Sequence, residues 1–272
     1  MSTLRTLGSA AGAAAVVGGL VLVATPATAA DTATVSVLHG IPNTPVDVYA
    51  NGERLIDDFQ PGTLTDALTL PAGAYDLAIF PADAPDGSGE PLLEADDVAV
   101  PAGANATVVA HLEEDGSPTL TPFVNDASPV AAGQARVTVR HTAAAPAVDV
   151  RAGGTPVVEG LTNPDEATLT VPASTITADV TLAGTDTVAI GPADLTLAEG
   201  TSTIVYAWGN GEAGYDLAVQ TISGMHSMPA GVPGGSAGLA DDTSSLPMVA
   251  ALSVAGLAVA GAGVARVARN RG

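Results

Sequence analysis

The chain has 272 residues with eight arginines and 29 carboxylates, no lysine and no cysteine, and a formal net charge of −21. Lacking cysteine, it has no disulfide framework, thiolate metal site or cysteine nucleophile; lacking lysine, it has no phosphate-loop lysine, no Schiff-base lysine and no basic nucleic-acid face. Aromatic residues make up 3% of the chain, which argues against stacking platforms for sugars or bases.

The N-terminus carries Arg5, an apolar run from about Ala10 to Val23, then Pro26 and Ala27-Thr28-Ala29. A positive start, a short apolar stretch and an Ala-x-Ala site predict a secretory signal peptide over 1–30. All 29 carboxylates lie between Asp31 and Asp242, where only four arginines accompany them, so that the middle of the chain carries −25.

From Thr34 the pattern is one of strands. Val46, Val48 and Ala50 alternate with Asp47 and Tyr49, and Asn51-Gly52 is a two-residue hairpin signal. Leu68-Thr69-Leu70 runs into Pro71-Ala72-Gly73, and Tyr75 to Phe80 resumes the period of two. Val98-Ala99-Val100, Pro101-Ala102-Gly103 and Thr107 to Leu112 repeat that scheme. His39-Gly40-Ile41-Pro42, Pro45 to Gly52 and Leu70 to Tyr75 together resemble the domain of unknown function 4397 family. That family is found in secreted and surface proteins, many actinobacterial, and carries no established activity. The resemblance therefore implies location and leaves function open.

Between strands, Asp83, Asp86 and Glu90 surround Gly87-Ser88-Gly89, with Glu94, Asp96 and Asp97 soon after. Calcium takes six to eight oxygen ligands, and this loop could supply some of them, although the EF-hand spacing is not met. The other reading is a solvated acidic surface that repels anionic partners.

The first segment then recurs. Thr34 to His39 is echoed by Arg136 to His141, and Val46-Asp47-Val48 by Val148-Asp149-Val150; His and Asp are both spaced by 102 residues. Thr107-Val108-Val109-Ala110 finds a partner in Thr203-Ile204-Val205-Tyr206. Two copies of one domain are expected, at 31–125 and 134–223. Turns every 8–12 residues, with Thr and Val enrichment and no helical period, predict two tandem antiparallel β-sandwich, Ig-like domains. In each copy, His39 with Asp47 and His141 with Asp149 could meet on adjacent strands. Such a pair could orient the imidazole as a base or metal ligand, or serve only to fix the loop from Gly40 to Thr44.

Gly209, Gly211 and Gly214 spell a dinucleotide fingerprint, but the alternating Tyr215 to Val219 comes next where a helix is required, so a turn is predicted. Met225-His226-Ser227-Met228 offers soft ligands of the kind copper takes. A Gly/Pro/Ser-rich stalk is expected over 224–245. Leu246 to Ala265 is free of charge for twenty residues, long enough at about 1.5 Å per residue for the bilayer core, and Arg266, Arg269 and Arg271 lie just beyond it. The span predicts a C-terminal transmembrane helix with a basic cytoplasmic tail over 266–272 and the body outside. Leu246-Pro247 is not continued by the rest of a sortase signal, so a retained anchor is expected over wall attachment.

The expected function is that of a non-enzymatic protein of the cell surface, an extracellular interaction or spacer module. Its partners would be the membrane, through the C-terminal helix, and an envelope polymer or protein, with no nucleic acid. No catalytic residues and no cofactor are expected, calcium being the exception the acidic loop leaves open. The alternative is a metal-binding ectodomain taking calcium, zinc or copper at the His–Asp pairs or at Asp83, Asp86 and Glu90.

Overall fold

A computed structural model describes residues 31–84 and 86–227, and every regular element among them is a strand. The expected signal peptide, most of the stalk, the membrane span and the basic tail lie outside the described residues. Within them, no helix is long and apolar enough to cross a membrane.

Among the described residues, sixteen strands form four sheets of four. The first eight are β1 (Thr32–His39), β2 (Val46–Ala50), β3 (Glu53–Phe59), β4 (Leu68–Pro71), β5 (Gly73–Pro81), β6 (Leu93–Val100), β7 (Asn105–Leu112) and β8 (Pro118–Val124). They make one sheet in the order β4-β1-β7-β8 and another in the order β3-β2-β5-β6. The second eight are β9 (Gln134–Ala144), β10 (Val148–Ala152), β11 (Thr155–Leu161), β12 (Glu166–Pro172), β13 (Ser174–Leu182), β14 (Val188–Leu197), β15 (Ser202–Asn210) and β16 (Gly214–Ile222). Their orders, β12-β9-β15-β16 and β11-β10-β13-β14, reproduce the first set strand for strand.

The sheets are not purely antiparallel as expected. β1 runs parallel to β7, and β9 parallel to β15. In each copy the first strand pairs antiparallel with the fourth on one side and parallel with the seventh on the other. The hairpins agree with the sequence reading. Asn51-Gly52 and Gly153-Gly154 all have positive φ, the geometry of a type I′ turn whose twist suits the flanking strands.

Register also corrects one expected match. Val37 pairs with Val108, and its counterpart Val139 pairs with Val205. Val108 is therefore equivalent to Val205 and not to Ile204. A one-residue slip moves every side chain to the other face, so this shift decides which residues face the core.

Each sandwich has its own core. In the first, Val37, Val46, Val48, Phe59, Ile79 and Ala110 pack together, with Ala33, Val35, Val100 and Val108 beside them. In the second, Ala135, Val137 and Leu197 form one cluster and Val148, Leu161 and Val180 another. A further cluster joins Leu38, Val109 and Phe123 of the first sandwich to Ile204, Tyr206 and Ala218 of the second. The sheets β4-β1-β7-β8 and β12-β9-β15-β16 thus pack face to face, and four layers stack in one body. Burial confirms the arrangement. β7 and β15 of the inner sheets are buried almost without alternation, whereas β6 of an outer sheet alternates along most of its length. Sheets covered on both faces lose the alternation that a sheet with one wet face shows.

Candidate functional site

The expected His–Asp pairs do not form. β1 and β2 belong to different sheets, so the loop from Gly40 to Pro45 crosses the sandwich and carries His39 and Asp47 to separate partners. His39 Nε2–H donates to the Thr44 carbonyl at 2.7 Å, and Nδ1 accepts from the Ile41 N–H at 3.4 Å. His141 repeats this with the Pro146 carbonyl at 3.0 Å and the Ala143 N–H at 3.4 Å. Both rings are buried with both nitrogens engaged, which leaves neither a base nor a ligand position. Burial pushes both imidazoles below their ordinary range, against the raising effect of the carbonyls, and they are neutral at pH 7.

The aspartates hold different backbone. Asp47 accepts the Asp58 N–H at 2.8 Å and an Arg54 guanidinium N–H at 3.2 Å. Asp149 accepts the N–H groups of Gly160 and Gly184, both at 2.8 Å. These bonds hold it below the usual carboxylate range, Gly184 more than Gly160. Asp58 and Gly160 are equivalent, and both have positive φ, 55° and 65°. They lie where the pairing of β2 with β3, and of β10 with β11, shifts register. Each aspartate therefore staples a bulge.

The acidic loop is a lid. A Cβ on Gly87 would sit 2.6 Å from the Tyr49 ring, so this backbone lies directly over a side chain that alternation would have placed in water. Tyr49 is buried there against Phe80, with ring centroids 5.3 Å apart. Asp83, Asp86 and Glu90 point outward, Asp86 bonding the Ser88 N–H at 3.0 Å. Among the described residues no three His, Asp or Glu side chains gather around a common point. The Met-His motif is tied to the body as far as Ser227, Met228 lying outside the described residues. Met225 is buried with its Sδ 3.9 Å from Arg136, and the Ser227 N–H bonds the Val130 carbonyl at 3.2 Å. Residues 225–227 are thus held against the body, where the sequence predicts stalk.

The chemistry that sequence reasoning missed lies between the sandwiches. By register, Leu38, Val109 and Phe123 occupy the same places in the first sandwich as Arg140, Tyr206 and Gln220 in the second. At these three places the first face is apolar and the second is polar. Arg140 is 1% exposed, with its guanidinium 4.4 Å from the Phe123 ring centroid. It donates to Glu166 at 2.7 Å and to Asn125 Oδ1 and Tyr206 Oη, both at 2.8 Å. Tyr206 and Thr107 both donate to Gln220 Oε1, at 2.7 and 2.9 Å, and Gln220 Nε2 donates to Ser36 at 3.2 Å. Asn163 extends the bonding across the junction, to the carbonyls of Leu112 at 2.8 Å and Ala143 at 2.6 Å. Burial raises the Tyr206 phenol, Arg140 opposing it, so that it stays a neutral donor.

At one end of this junction a groove of about 430 Å³ opens, lined from both sandwiches. The first supplies Pro42, Asn43, Pro45, Gln60 and Pro61; the second supplies Trp208, Ala213, Gly214, Tyr215 and Asp216. Trp208, the chain's one tryptophan, packs its six-membered ring on Gly62, where a Cβ would lie 2.6 Å away. Trp208 and Asp216 are cross-strand partners and so share a face. The fingerprint glycines shape this wall as a hairpin, as expected. Gly209 (φ 102°) lies so close to the Gly214 carbonyl that a side chain would collide, and Asn210 Oδ1 accepts from the Glu212 and Ala213 N–H groups at 3.1 and 2.7 Å.

No curated protein matches the chain. Among solved structures, the CBM26-family module CBMbc from Eubacterium rectale Amy13K, in complex with maltoheptaose, is 14% identical. The match covers 71% of this chain and 98% of that one, at a TM-score of 0.23. A protein assigned to cell adhesion from Bacteroides uniformis ATCC 8492 is 11% identical, covering 71% and 97% at a TM-score of 0.18. Likeness at these scores carries no functional weight. Residues 33–151 match the family model described as "Domain of unknown function (DUF4397)", spanning the whole first sandwich and the first two strands of the second. That segment of the chain matches the DUF4397 family, as its sequence motifs suggest.

Proposed function

We propose that this chain is a non-catalytic interaction module of the cell surface, exported by its signal peptide and held by its C-terminal span. The observation that carries this reading is the junction. Two sandwiches share a buried face that combines an apolar cluster with a hydrogen-bonded network, which fixes their relative orientation. A fixed double sandwich suits presentation of a surface at a set distance, and the groove between the copies is the natural place for a partner. The acidic segment and the arginines beyond the apolar span support an outside-facing body.

The absence of native cysteine makes the test clean. Ser88→Cys, in the exposed acidic loop, should react with a membrane-impermeant maleimide on intact cells, and the labelled chain should sediment with membranes. Labelling only after lysis, or recovery in the soluble fraction, would overturn the reading.

A further inference from the structure

The geometry points to the groove at the junction as a binding site for a neutral hexose oligosaccharide. This deepens the surface-module reading and depends on it only for where the glycan would be met. Pockets that take small ligands combine apolar and aromatic walls with a few convergent polar groups, and they favour domain interfaces. This groove sets Trp208 and Tyr215 beside Asn43, Gln60 and Asp216, drawn from both sandwiches.

The polar groups select the ligand. Gln60 gives one amide N–H to the Asp58 carbonyl at 3.0 Å, which leaves its second N–H as a donor and its Oε1 as an acceptor. Asp216 takes the Leu217 N–H on Oδ1 at 2.7 Å and keeps Oδ2 open. The groove therefore offers amide donors as well as acceptors, with the Asp216 carboxylate accepting only, and the ligand must bring both donors and acceptors. Sugar hydroxyls do so, while the C–H face of a pyranose ring gives the apolar surface that an indole or phenol ring covers. A proline-rich segment would also suit aromatic and proline walls, but proline has no N–H, and Asp216 would be left without a partner. An anionic polymer is disfavoured, because no arginine lines the groove and the surrounding segment carries −25.

A single tryptophan inside the groove makes the full chain its own reporter. Maltohexaose, cellohexaose and mannohexaose are titrated separately while Trp208 emission is followed. We expect a saturable change with at least one of them, insensitive to added salt. Gln60→Ala and Asp216→Ala, both at exposed positions, should each weaken binding about tenfold, the loss of roughly one hydrogen bond to a charged or polar acceptor, without lowering Tm. No response to any of the three sugars at millimolar concentration overturns the inference. So does binding that survives both substitutions, or a response confined to a polyproline or oligoarginine peptide. Because the purified chain is used, these failures are separate from a failure of the surface-labelling test.

Discussion

Arg140→Ala is the perturbation that tests the junction most directly. Its surroundings set three separate effects. Asn125 Oδ1 loses its donor inside the protein, which costs about 1–3 kcal/mol for an unsatisfied buried acceptor. Truncating a large buried side chain leaves a void against Phe123 and Tyr206, with about 2 kcal/mol expected at the low end of such changes. Glu166 adds little, because its side chain is 40% exposed and regains water when the guanidinium is gone. The sum is about 3–5 kcal/mol, the range in which removing one partner of a buried charge usually falls. For a body of this size each kcal/mol moves Tm by about 2–4 °C, so calorimetry should show a fall of roughly 6–20 °C. Arg140→Leu, which installs the residue of the equivalent position Leu38, should restore volume and cost less. A cycle with Phe123→Ala should give a coupling of about 0.5–2 kcal/mol for the stacked guanidinium. If Arg140→Ala loses under about 1 kcal/mol, the polar network does not hold the sandwiches together and the reasoning fails.

Acid should weaken the fold earlier than its aspartates require. His39, His111 and His141 all have lowered folded pKa values, mainly from burial, so the unfolded chain binds protons first as pH falls. Stability is then full above about pH 6.5 and declines below it until the folded values are reached, by up to about 1.4 kcal/mol per pH unit for each histidine. Urea midpoints measured between about pH 7.5 and 5.5 should fall; a flat or rising midpoint contradicts this. The depressed aspartates Asp126, Asp149 and Asp179 lose their contribution only below the ordinary carboxylate range, a separate window. Asp47→Ala should destabilise the first sandwich by about 1–3 kcal/mol through the freed Asp58 N–H, with Asp149→Ala acting in the same direction on the second; urea midpoints of the two variants check both. Asp58→Gly should do the opposite, gaining up to about 1 kcal/mol because glycine tolerates the positive φ that its counterpart Gly160 already shows. Gly62→Val should lower Tm and change Trp208 emission together, since its side chain would enter the space of the indole; an unchanged spectrum would show that Trp208 does not pack there.

Much of the architecture is legible in the sequence alone. The period of two in Val46 to Ala50 and Tyr75 to Phe80, the Asn51-Gly52 turn and the 102-residue echo of His39 and Asp47 identify strands, hairpins and a duplication. The turn at Gly209 is legible too, because the residues from Tyr215 to Val219 alternate and cannot open a helix. These signals are local, and each is set by the geometry of a strand or a turn. The parallel closing pairs are not legible, because periodicity reports that a segment is a strand and says nothing of which way its neighbour runs.

Tertiary structure decided what covers each face. Ser36, Thr138, Arg140 and Gln220 alternate with apolar residues just as solvent-facing residues do, yet they are buried against the other sandwich. A period of two tells which side chains share a face; whether water or a second sheet lies over that face depends on packing between distant segments. The same limit misplaced His39 and Asp47, eight residues apart but in different sheets, and hid the groove, whose Gln60 and Trp208 belong to different copies. Strand, turn and repeat are properties of neighbours in the chain. The junction and its groove are properties of two surfaces that meet only after both copies have folded.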